Sequence, residues 1–223
     1  MFTKKERWFT LLFSTLVCIE LVVGSFENLE VLRFGTKPLI LTILILYFIS
    51  SSPGIKPKIK RLTLTGLFFS LVGDVALMFV PISETYFLLG LVGFLIAHIA
   101  YVFLFLEHRN KQRNLVAFSL IILAYAGSIF YVLEKDLNGL IIPVIIYIIA
   151  ISAMVITAYA RKGNANPKSY LFVLAGAILF LISDSFLAIN KFSQELPFAH
   201  LSVMGTYSFA QFGITLGILK LKK

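Results

Sequence analysis

Three carboxylates stand where a lipid-embedded helix would ordinarily have none: Glu20, Asp74 and Asp184 each lie inside a long apolar run. A carboxyl at mid-helix costs at least about 2.5 to 3.5 kcal/mol on insertion scales, so such residues turn toward a bundle interior or a wet cavity. At about 1.5 Å of rise per residue, the three fall roughly 6 to 10 Å from corresponding helix ends, in one depth layer. Lys37 and His200 begin apolar segments at that same surface. From His200 a polar stripe descends one helix face through Met204, Tyr207 and Gln211, at i, i+4, i+7 and i+11. Two carboxyls in a low-dielectric setting can divide acid and base roles between them.

Other residues border this layer. Tyr86, Gly90, Gly93, Ala97 and Tyr101 share one face of the fourth apolar segment, which predicts close approach of a neighbouring helix. His98 sits beside that face, and Asn190 closes the seventh segment. Each also has a plainer reading. The aspartates fit as structural partners of Lys37 or of hydroxyls, Glu20 fits as a group reaching the headgroups, and His98 alone reads as a hydrogen-bonded packing residue. No phosphate-binding Gly-rich loop, Ser nucleophile elbow, zinc-binding His helix or Cys cluster occurs, so neither a metal nor an organic cofactor is expected.

The elements that must hold these residues are helices in a membrane. The chain has 223 residues, 59% hydrophobic and only 14% charged, with a mean hydropathy of +0.93. That excludes a water-soluble domain. Eight apolar segments are predicted, over residues 8–24, 37–52, 62–81, 85–106, 115–133, 139–160, 169–190 and 198–219, the second being the shortest. The connections are too short to fold separately, so residues 1–223 read as a single transmembrane domain.

Of 20 Lys and Arg, only Arg33, Lys37, Lys135 and Lys191 fall on one face of this arrangement, together with Glu27, Glu30, Glu84, Glu134, Asp136 and Glu195. The excess of cations on the opposite face, from Lys4 through Lys58, Arg109 and Arg161 to Lys223, places both termini in the cytoplasm. The net charge of +9 then follows from topology and anionic lipid, and nucleic acid is not expected as a partner. Segment one superficially resembles a signal peptide, but its removal would leave seven spans and contradict the charge alternation. A single cysteine, Cys18, excludes an intramolecular disulfide.

Segment seven can be laid on segment three at one constant offset: Gly66 on Gly176, Leu71 on Leu181, Asp74 on Asp184 and Leu77 on Leu187, with Tyr101 and Gln211 sharing that offset. A duplicated four-helix unit is predicted. Because four is even, the halves run in the same direction, and the two aspartates would face each other across an axis along the membrane normal.

Lys37-Pro38, Gly73-Asp74, Ala97-His98 with Tyr101, and Ser183-Asp184, taken in order and spacing over nearly the whole chain, resemble the lysoplasmalogenase (YhhN-like) family of eight-span membrane proteins. That resemblance implies hydrolysis of the vinyl ether bond of lysoplasmalogens, releasing a fatty aldehyde and glycerophosphocholine or glycerophosphoethanolamine. Such a reaction needs an acid to protonate carbon and a base to activate water, which Asp74 and Asp184 would supply, with neither role assigned to either. Lys37 or His200 would hold the phosphate, the alkenyl chain would lie between apolar helices, and Tyr207, Gln211, Tyr101 and His98 would orient water or substrate. Glu20 and Asn190 complete the substrate-binding candidates. The expected partners are a lysophospholipid and membrane lipids, in a bacterial cytoplasmic membrane in preference to the endoplasmic reticulum. A small transporter or proton-coupled channel using the same carboxylates is the alternative, and it favours helices broken in mid-span.

Overall fold

The protein, in a computed structural model, is described over residues 3–137 and 139–222. Met1, Phe2, Asn138 and Lys223, the last a member of the basic face, lie outside the described residues. Among the described residues there are eight α-helices: α1 (Lys4–Val23), α2 (Glu30–Ser51), α3 (Pro57–Met78), α4 (Thr85–Leu106), α5 (Val116–Leu133), α6 (Ile141–Tyr159), α7 (Pro167–Phe192) and α8 (Ala199–Leu219). Six of them, α2 to α7, are long and apolar enough to cross a membrane. The chain is an all-α polytopic membrane protein.

The two remaining helices, α1 and α8, differ from these six in identifiable ways. α1 opens on Lys4, Lys5, Glu6 and Arg7 behind a capping box, in which the Thr3 hydroxyl accepts from the Glu6 amide and the Glu6 carboxylate accepts from the Thr3 amide. α8 is enclosed by protein: every residue from Ala210 to Leu219 is buried, so no lipid demands an apolar coat there. It packs on α1, α2, α3 and α7.

The packing repeats in fours. α3 pairs with α4 as α7 pairs with α8, α2 meets α3 as α6 meets α7, and α2 lies against α8 as α6 lies against α4. Pro57 and Pro167 start α3 and α7 at the repeat offset, and the preceding residues have nearly identical backbones, φ −52 and ψ 136 at Lys56 against φ −51 and ψ 137 at Asn166. Crossing points agree as well. A Cβ on Gly93 would come within 3.0 Å of the Gly73 amide nitrogen and the Phe69 carbonyl, so α3 and α4 touch backbone to backbone. At the equivalent crossing, the Ser183 hydroxyl donates to the Val203 carbonyl over 3.0 Å.

The second helix departs from the sequence reading. α2 starts at Glu30, seven residues before Lys37, and runs straight through Pro38. The charges at Glu30, Arg33 and Lys37 and the proline together imitate a helix start, since proline is well tolerated in a first turn. The two added turns put Arg33 and Lys37 four residues apart on one face, which decides where the cations of the site lie.

Candidate active site

Near the end of the bundle where α3 and α7 terminate and α2, α4 and α8 begin, a cavity of about 440 Å³ opens between the helices. Arg33, Lys37, Asp74, Ser183, Asp184, Asn190, His200 and Tyr207 supply its polar wall, and Phe87, Phe94, Leu77 and Leu187 its apolar wall. A narrower slot of about 60 Å³ adjoins it between α4, α5, α6 and α7, lined by Leu91, Ile129, Val144, Ile148, Leu181 and their neighbours. Asp184 borders both spaces, and Asp74 only the first.

The repeat brings both aspartates to this cavity and then differentiates them. Asp74, 2% exposed, accepts from the Tyr207 hydroxyl at Oδ2 over 2.6 Å, and Lys37 Nζ stands 3.9 Å from its Oδ1. Asp184 accepts from the Tyr147 hydroxyl at Oδ2 over 2.5 Å, with His98 Nε2 3.5 Å from that same oxygen. No Lys or Arg pairs with it among the described residues. His98 is fully buried, wedged edge-on against Tyr147 and Phe180, and among the described residues neither ring nitrogen has a hydrogen-bond partner.

Glu20 anchors the mouth from behind. Fully buried, its carboxylate takes the Thr36 hydroxyl, with Arg33 Nε 3.7 Å and His200 Nε2 3.9 Å from Oε1. The Arg33 guanidinium donates to His200 Nδ1 over 3.3 Å, which leaves the imidazole proton on Nε2, 3.2 Å from the Glu20 carbonyl oxygen. α1, α2 and α8 are thereby tied together behind two cavity-facing side chains. Gly24 makes room for this arrangement, because a Cβ there would collide with the His200 ring.

Of the residues singled out in the sequence, Asp74, Asp184, Lys37, Asn190, His200 and Tyr207 line the cavity. Glu20 and His98 stand one layer back, each beside a lining residue. Tyr101 and Gln211 lie deeper: the Tyr101 hydroxyl donates to Gln211 Oε1 over 2.7 Å, and Gln211 Nε2 donates to Ser70 Oγ over 2.8 Å, all three fully buried. This chain bolts α4, α8 and α3 together. Phe94 and Tyr207, which line the cavity, meet each other and the buried Phe180 edge to face and form an aromatic floor. Asn190, within the last turn of α7, also accepts from the Leu196 amide over 2.9 Å and so fixes the loop into α8.

Two residues escaped the sequence reading. Tyr147 sits in an Ile-rich span with no polar neighbour to advertise it, yet it occupies the repeat position of Lys37. Arg33 reads as a loop cation until α2 is extended back to Glu30. Among the described residues, no cluster of three or more His, Cys, Asp or Glu could hold a metal ion.

Residues 32–218 match the family model of the YhhN family. A human protein named lysoplasmalogenase TMEM86B is 36% identical over 151 residues, covering 68% of this chain and 60% of that protein. Human lysoplasmalogenase TMEM86A is 30% identical over 159 residues, 70% of this chain and 64% of that protein. A Mycobacterium bovis protein named lysoplasmalogenase is 29% identical over 165 residues, 71% of this chain and 60% of its own length. The matched part thus spans about three fifths of the length of these curated relatives. No solved structure matches.

Proposed function

The chain belongs to the YhhN family, and from that premise we propose that it is a membrane-embedded hydrolase cleaving the vinyl ether bond of a lysoplasmalogen, with Asp74 and Asp184 as its acid and base. The observation that carries this reading is the pair of aspartates, supplied by the same position of the two repeats, bordering one cavity that continues into an apolar slot. An enol ether hydrolyses by protonation at carbon and capture of the resulting oxocarbenium ion by water, so it needs one proton donor and one acceptor and no nucleophile from the protein. The apolar slot suits the alkenyl carbons nearest the ether oxygen. Arg33 and His200 at the mouth suit the phosphate, since an arginine offers two parallel N–H donors to a phosphoryl group.

The buried Tyr101–Gln211–Ser70 chain and the aromatic floor argue against the transport alternative, which needs a second opening. α2 also continues through Pro38 without breaking. We propose from the distribution of Lys and Arg that both termini are cytoplasmic and that the cavity opens on the opposite side, and from the short loops and Lys-rich, compact chain that the membrane is a bacterial cytoplasmic one. The test of the reaction is aldehyde release by purified protein from lysoplasmenylethanolamine and lysoplasmenylcholine, beside the saturated 1-alkyl ether of the same headgroup. The proposal requires aldehyde from the vinyl ethers alone. Folded protein that releases none from either would end it.

A further inference from the structure

Under the hydrolase reading, on which this inference rests, the two aspartates have unequal surroundings. Asp74 faces an ammonium, Lys37 Nζ at 3.9 Å, and both of its oxygens have partners, Lys37 at Oδ1 and Tyr207 at Oδ2. Asp184 faces a phenol and an imidazole, both at Oδ2, and its Oδ1 has no protein partner among the described residues. Its position differs too, for it alone borders both the polar cavity and the apolar slot. The atom to be protonated belongs to the alkenyl chain, whereas water arrives through the polar cavity. We infer that Asp184 is the general acid that protonates the vinyl carbon and Asp74 the general base that activates water, with Lys37 the positioning residue that keeps Asp74 ionised.

The cycle closes on these groups. The proton on Asp184 passes to the vinyl carbon remote from oxygen, and the π electrons of the double bond form the new C–H bond. The ether oxygen's lone pair stabilises the oxocarbenium ion that results. Water attacks the carbon next to oxygen while Asp74 accepts its proton, giving a hemiacetal. In the collapse, Asp74 returns that proton to the departing glycerol oxygen as the C–O bond breaks, and Asp184 takes the hemiacetal hydroxyl proton as the aldehyde forms. Both aspartates end as they began, with one water consumed.

The assignment predicts that the two aspartate variants fail at different steps. In D₂O, Asp74→Asn still protonates carbon, but the ion is captured slowly and returns a hydron to Asp184. Recovered lysoplasmenylethanolamine therefore gains deuterium at the remote vinyl carbon, while aldehyde release falls by about 10²- to 10⁴-fold, the usual contribution of a general base. Asp184→Asn shows neither deuterium nor aldehyde. The double variant Lys37→Met/Asp74→Asn, which strands no buried ammonium, gives the same exchange as Asp74→Asn and guards against misfolding of the single change. Lys37→Met alone exchanges partially, and Lys37→Arg restores hydrolysis and suppresses exchange, which a purely structural role for the lysine would not produce. Exchange by Asp184→Asn, or by neither aspartate variant, overturns the assignment, while aldehyde release by the wild type keeps the hydrolase reading. A folded wild type that releases no aldehyde removes that reading and the assignment with it.

Discussion

Lys37 and Tyr147 are equivalent residues with different chemistry: each projects from the second helix of its four-helix unit onto the aspartate of the third. Lys37 Nζ lies 3.9 Å from Asp74, and the Tyr147 hydroxyl 2.5 Å from Asp184. A single packing plan has thereby produced two carboxyl sites in one cavity, one beside a lysine ammonium and one beside a phenol and an imidazole. The remaining polar residues either serve these two sites or hold the helices that carry them, and each arrangement has a measurable consequence.

Arg33 is proposed to bind the phosphate, so its loss should weaken ground-state binding more than it slows the reaction. Arg33→Gln should raise KM for a lysophospholipid by about 10- to 100-fold, the usual worth of a charge-assisted hydrogen bond, with kcat within about threefold. Steady-state kinetics in mixed micelles decide it. An unchanged KM would remove Arg33 from the binding site.

Gln211 links Tyr101 to Ser70 away from the cavity, so its role is expected to be structural. Gln211→Leu leaves two buried hydroxyls without that partner and should destabilise the protein by about 1 to 3 kcal/mol. Below its lowered melting temperature, turnover should stay near wild type. A variant that melts normally but does not turn over would place Gln211 in the reaction.

The contact of α3 with α4 depends on Gly93, whose Cβ would meet the Gly73 backbone at 3.0 Å. Gly93→Val should cost about 1 to 3 kcal/mol or more through overpacking and displace Asp74 with its helix. Gly205→Ala, where a Cβ meets nothing within 4 Å, is the control and should be neutral. Thermal melting in detergent compares the two, and equal melting temperatures would show that the helices are not in close contact.

Much of this was legible in the sequence, and the failures have physical causes. The intramembrane aspartates were conspicuous because nothing else in their windows is charged, and the constant offset between Asp74 and Asp184 exposed the repeat that the helix packing displays. The offset shared by Tyr101 and Gln211 held a further message. Equivalent residues can touch only beside the axis relating the two halves, and these two hydrogen-bond to each other. The start of α2 was misplaced because proline and clustered charge mark a helix entrance far more often than an interior. Tyr147 was invisible because a tyrosine in an apolar span reads as packing, and only its partner across the bundle gives it a role.

The orientation follows from charge, and an accessibility measurement tests it. In a Cys18→Ala background, a cysteine replacing Glu30, at the cavity end of α2, should react with a membrane-impermeant maleimide added to intact cells. Reaction only after lysis would reverse the topology.

The central claim is that both aspartates carry out vinyl ether hydrolysis. Its most direct test is aldehyde release from lysoplasmenylethanolamine by the purified wild type beside Asp74→Asn and Asp184→Asn, each shown by its melting profile to be folded. The account predicts release by the wild type and a loss of at least about 100-fold in each variant. Undiminished release by either folded variant would contradict it.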